Sequence, residues 1–184
     1  MPHAVHLFLE QVAHGLWNNA WFYINGPHVV QVGPQPSNVV PGPGHAVDED
    51  DRTMALRPFR DLQLDTLTFP EYSAEYPHVP WTLGFTGRPG GPDFYINKVD
   101  NSVAHGPGGQ FQHDLSEHAD SCFAKVIKGF DTLTAMTEAP TVEEHNEFQY
   151  FYEEPIHITK VAIVESPFHQ PKLFDTLQHE ILPN

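Results

Sequence analysis

The chain has 184 residues, with 9 Lys+Arg against 24 Asp+Glu, a formal net charge of −15 and only 18% charged residues. That balance argues against a phosphate-neutralising nucleic-acid surface and an anionic membrane face, and no apolar run reaches the roughly 20 residues of a membrane helix. A single cysteine, Cys122, excludes an internal disulfide framework and any multi-cysteine metal centre.

With 18 Pro and 13 Gly, the chain reads as strand and loop rather than helical bundle. The N-terminus has no basic segment ahead of an apolar one, so a soluble chain without signal peptide or membrane span is expected, in an unassigned compartment. The 13 His make the charge sensitive to pH between about 5 and 7.

The first predicted element is a helix over 2–15. Val5, Phe8, Leu9, Val12 and Leu16 draw one apolar stripe, Pro2 suits the first turn and Gly15 the end. Short strands follow at Trp21–Ile24 and His28–Val32. Residues 33–47 alternate Pro and Gly and read as loop. Asp48-Glu49-Asp50-Asp51 lacks the spacing of a calcium loop and reads as a solvated acidic run. Leu62, Leu64, Leu67 and Phe69 suggest a weak strand or turn.

Trp81–Phe85 fits a strand with one face in a core, and 87–92 (Gly-Arg-Pro-Gly-Gly-Pro) a tight loop before a strand at Phe94–Ile96. Residues 101–121 read as loop and 122–127 as strand. Phe130, Leu133 and Met136 mark one face of a short helix. The alternation in Ile156–Val164 makes the strongest strand signal of the chain. This order suggests a mainly β protein, a small antiparallel barrel capped by helices.

The segment Gly87-Arg88-Pro89-Gly90-Gly91-Pro92-Asp93-Phe94-Tyr95-Ile96-Asn97 resembles the cyclophilin signature, a glycine-rich loop followed by S-Q-F-F-I. Phe123-Ala124-Lys125-Val126-Ile127-Lys128-Gly129 resembles that family's F-G-K-V-x-x-G, in the right order and spacing. Residues 2–15 look like its first helix, Trp21-Phe22-Tyr23 like its F-H-R strand, and 158–164 sits where it places its last strand. The resemblance spans roughly 2–165. It implies a cyclophilin-like domain over 1–165 with a Pro/Gly-rich acidic insertion near 33–60, and a C-terminal extension over 166–184. The family carries two strands before the first helix, whereas this chain starts at that helix. That leaves open whether it is a piece of a longer chain or closes its barrel with other segments.

Cyclophilins bind X-Pro peptides and catalyse their cis/trans isomerisation over a barrier of about 18–20 kcal/mol. An Arg donates to the proline, a Gln bonds the peptide backbone and an apolar pocket takes the ring, which is electrostatic stabilisation without covalent chemistry. By resemblance, Ile24 stands at the Arg position, Asp93 at the Gln and Tyr95 at the pocket Phe; the pocket Trp and His fall near Leu115 and Asp120. No catalytic residue is assigned. Phe22, Tyr23, Val30, Phe85, Arg88, Asp93, Tyr95 and Leu115 are the substrate-binding candidates. Val29 belongs to the same group by position.

Three other groups read as structural. His105, His113, Asp114, His118 and Asp120 have ligand chemistry but no metal-site spacing, so no metal or cofactor is expected. Cys122, with Ser121 beside it, sits on an apolar strand without a basic neighbour until Lys125 and reads as buried and inert. His157 lies on a strand without a partner to make it a base. The expected function is a proline-peptide or protein-binding domain with weak or absent isomerase activity. Two alternatives stand beside it: an active isomerase using another donor such as Arg88 or Asn97, and a non-catalytic structural domain with a plugged pocket.

Overall fold

The computed structural model describes residues 1–34, 49–110, 118–143 and 150–164, with Glu49, Asp50, Asp51 and Glu143 as backbone alone. Helix α1 spans Pro2–Ala13 and buries Ala4, Leu7, Gln11 and Val12, one stripe at helical spacing. The first helical N–H groups lack intrahelical acceptors, and a distant carboxylate fills that need: His3 N and Ala4 N donate to the two oxygens of Glu71.

Seven strands follow in one antiparallel sheet: β1 (Trp21–Asn25), β2 (Val29–Gly33), β3 (Thr82–Phe85), β4 (Phe94–Asn97), β5 (Cys122–Lys125), β6 (Thr141–Glu143) and β7 (Tyr150–His157). Their order is β5-β3-β4-β2-β1-β7-β6. The sheet is not closed by hydrogen bonds among the described residues, so the expected barrel is an open one with β5 and β6 at its ends. At β5 the register skips: Leu83 faces Ala124 and Gly84 faces Cys122, which leaves Phe123 bulged.

Alternation along the strands gives the sheet two different faces. Val32, Phe85, Phe94 and Phe123 pack on one side with Ala4, Leu7, Trp17 and Phe59. Val30 and Ile96 continue that side against Leu133, Met136 and Tyr152. Leu133 and Met136 belong to α3 (Phe130–Glu138), and Phe59 to α2 (Glu49–Asp61). The other side carries Gln31, Gly33, Gly84 and Tyr95, with Gln31 and Gly84 both directly opposite Tyr95.

Two expectations need correction. The solvated acidic run is the start of α2; Asp48 lies outside the described residues. The acidic N-terminus and Pro58 hide the helical signal, yet Leu56 and Phe59 anchor the helix in the core. Acidic residues also suit the first turn of a helix. The last strand is displaced as well: β7 is Tyr150–His157, and 158–164 have no regular structure. Ile158 exchanges two backbone bonds with Asn19 and Ala20 and packs on the core, but beyond it no strand is paired among the described residues. Alternation reports fitness for a pleated surface, not the presence of a partner. Most of the 33–47 loop lies outside the described residues.

Candidate functional site

A register shift in β1 aims two side chains at the polar face. Phe22 faces Val32 and Ile24 faces Gln31, so Tyr23 is bulged between them. The register against β7 is broken at the same place, where Phe22 faces Ile156 and Ile24 faces Phe151, but there the extra residues lie on β7. Tyr23 and Ile24 therefore share the face of Gln31, and both pack on Phe151. Ile24 presents a methyl surface where the resemblance puts a guanidinium.

Beside it runs a chain of four polar side chains. Gln31 Nε2 donates to Tyr23 Oη at 2.8 Å, and Tyr23 Oη donates to Asp93 Oδ2 at 2.9 Å. Arg52 Nη2, from the first turn of α2, donates to both Asp93 oxygens at 3.0 and 3.1 Å. The Asp93 side chain is 3% exposed and that of Arg52 38%. Burial, and then the Asp93 charge, push the Tyr23 phenol well above its ordinary range. Burial alone would lower Arg52, but Asp93 more than reverses it. Gly33 makes room for this pairing, since a Cβ there would lie 2.7 Å from Asp93 Oδ2. Asp93 is thus an ion-paired anchor, not a bare carboxylate on the polar face.

One strand over, Asp120 gathers a second cluster. Arg88 Nε donates to its Oδ1 at 2.8 Å, Tyr95 Oη to its Oδ2 at 3.0 Å, and His105 Nδ1 to the same Oδ2. Burial would raise the Asp120 carboxyl, but the bonds and charges of His105 and Arg88 hold it below its usual value. His78 donates through Nε2 to the Asp120 carbonyl, and its Nδ1 lies 3.3 Å from the Tyr95 hydroxyl oxygen, whose one proton goes to Asp120. Burial lowers His78 and keeps it neutral. His105 Nε2 is buried without a hydrogen-bond partner among the described residues. Gly84 admits the Tyr95 ring: a Cβ there would meet its hydroxyl at 2.5 Å.

The sequence candidates thus divide between the faces. Tyr23, Asp93, Tyr95 and Arg88 lie on the polar face, each bonded to another side chain. Phe22, Val30 and Phe85 lie in the apolar packing, the last two fully buried. Val29 of β2 is buried as well. Leu115, His113 and Asp114 lie outside the described residues. Of the two alternative donors, Arg88 has its side chain enclosed and bonded to Asp120 and to the carbonyls of His118 and His105. Asn97 donates to Thr82 and accepts from Asn101.

No group of three or more ligating side chains suited to a metal occurs among the described residues. Cys122 is buried, and burial raises its thiol. His157 ends β7 with its ring 4.4 Å from that of Trp21. A half-open cavity of about 470 Å³ lies between the 75–79 loop and β5, lined by Tyr76, Pro77, Val79, Cys122 and Phe123. None of the described substrate-binding candidates lines it. Arg52 and His78 escaped the sequence reading: Arg52 sits 41 residues from Asp93, in a helix whose pattern was itself obscured.

No family model and no curated protein matches this chain. Among solved structures, a cyclophilin-type peptidyl-prolyl cis-trans isomerase of Cryptosporidium parvum, determined in the presence of the dipeptide Ala-Pro, is similar. It aligns with TM-score 0.50 and 16% identity, over 85% of each chain. A second structure of that isomerase aligns with TM-score 0.49 and 16% identity, over 87% of this chain and 86% of that one. At this identity the likeness speaks to architecture, and no helix among the described residues is long and apolar enough to cross a membrane. The chain has a cyclophilin-like fold, a mainly antiparallel β-sheet of seven strands with three helices.

Proposed function

We propose that the chain is a proline-peptide or protein-binding domain with little or no peptidyl-prolyl isomerase activity. The fold supports the binding half of this reading, since the similar parasite isomerase was solved with Ala-Pro. The observation that carries the catalytic half is Ile24 on the polar face, packed on Phe151 with no donor to offer. Losing one preorganised donor to a twisting amide typically costs about 10²–10³ in rate.

The test is an exchange or protease-coupled assay on a standard X-Pro peptide, beside an Ile24→Arg variant. The expected rate of the unmodified chain is about a hundredfold or more below that of an ordinary cyclophilin. Isomerisation at an ordinary rate overturns this reading. A gain in Ile24→Arg supports it.

A second reading, a structural domain with a filled pocket, is favoured by one observation. Tyr95, at the pocket position, is 1% exposed and bonded to Asp120. Titration with proline peptides separates the two, since a filled pocket gives no saturable binding.

A further inference from the structure

We propose that Arg52 is the hydrogen-bond donor that this domain offers to a peptide carbonyl oxygen, with Asp93, Tyr23 and Gln31 as the residues that position it. The inference rests on the proline-peptide reading and names the side chain through which it operates.

Asymmetry of exposure carries the argument. Asp93 is almost wholly enclosed, while over a third of the Arg52 side chain reaches solvent. A ligand on this face therefore meets the Arg52 side chain and not the carboxylate. Both Asp93 oxygens are occupied by Arg52 Nη2, and one also by Tyr23. The guanidinium carries five N–H donors in a fixed fork, of which the Asp93 bonds engage only Nη2. Tyr23 is itself held by Gln31, so the anchor cannot swing. A flexible cation loses its rotamer freedom on binding; one already fixed by a buried partner does not.

The charge arithmetic selects the ligand chemistry. Arg52 and Asp93 cancel at short range, so the pair presents hydrogen-bond donors without net charge. In a chain of formal charge −15, an anionic ligand is repelled at long range and gains no unpaired cation here. A neutral carbonyl, such as that of a peptide bond, suits the site better than a carboxylate. Binding through it should depend little on salt.

The experiment titrates the full chain with a capped neutral peptide, N-acetyl-Ala-Pro-Ala-amide. It follows the side-chain Nε–H resonances of the four arginines, Arg52, Arg57, Arg60 and Arg88. The Arg52 resonance is expected to shift on saturation. Arg52→Ala should weaken Kd by tenfold or more, the usual scale for a bond to a charged group. Arg52→Lys should fall between Arg52→Ala and the unmodified chain; it keeps the charge beside Asp93 and covers the case in which Arg52→Ala fails to fold. Arg57→Ala, on the exposed side of the same helix, should leave Kd unchanged. An unmoved Arg52 resonance, or unmodified affinity in Arg52→Ala or Arg52→Lys, overturns the inference alone. An unmodified chain that binds no peptide overturns the proline-peptide reading, and the inference with it.

Discussion

The two sides of β2 and β4 are both largely buried and differently built. On one side Phe94 meets Trp17 and Phe8 edge-on at 4.8 and 5.2 Å, and any side chain of similar volume would serve. On the other, Tyr95 and Asp93 are as buried as Phe94, but each is fixed by partners from elsewhere in the chain. Apolar packing is non-directional and forgives substitution by volume. A buried polar cluster is satisfied only with every member in place, and removing one strands the rest.

The sharpest break of this comparison is Asp120→Ala. It removes the buried carboxylate that Arg88, Tyr95 and His105 all bond. The expected cost is about 3–5 kcal/mol, read as a shift in urea midpoint. A smaller effect follows from Gly84→Ala, whose new methyl collides with the Tyr95 hydroxyl; about 1–3 kcal/mol is expected. Combining it with Tyr95→Phe should recover part of that loss, and strict additivity would refute the contact.

Tyr95→Phe and Phe94→Leu compare the faces directly. The first removes one hydroxyl and should cost about 1–3 kcal/mol, because Asp120 loses a buried donor. The second keeps its apolar character, though at a smaller volume, and should cost less than about 1.5 kcal/mol. The reverse order would mean the polar cluster contributes little.

The smallest effect is that of pH. His78 has its folded value below the ordinary 6.5, so the unfolded chain binds the proton first. Its contribution is present above pH 6.5 and shrinks as pH falls toward the folded value. Asp120 has its folded value below the ordinary 3.8, so its contribution is lost on acidification below that point. Unfolding measured from pH 7.5 to 5, beside His78→Asn, should show a steeper acid loss in the unmodified chain. Identical slopes would place His78 in contact with solvent.

The apolar face was largely legible in the sequence, because alternation and helical spacing both report burial. Phe85, Phe94 and Phe123 stood in segments readable as strands, and Leu133 and Met136 on a readable helix. The polar face was legible in Tyr23 of β1, in Tyr95 of β4, and in Arg88 and Asp93 just ahead of β4. Their partners are set by tertiary approach: Arg52 comes from a helix masked by its acidic start and Pro58, and His78 from a loop. Ile156–Val164 failed in the opposite way. Its local preference for a strand is genuine, but beyond Ile158 no neighbour among the described residues supplies the ladder.

The bulge at Phe123 has a consequence for how copies of this chain behave in a crowd. A sheet that ends on a straight, uncovered strand offers its free amides and carbonyls to any similar edge nearby. Here the terminal strand is four residues long, loses its regular spacing at Phe123 and ends on an exposed lysine, Lys125. Each of these features spoils the template on which another strand would zip up. The β5 edge should therefore be a poor site for a second copy to add a strand as concentration rises.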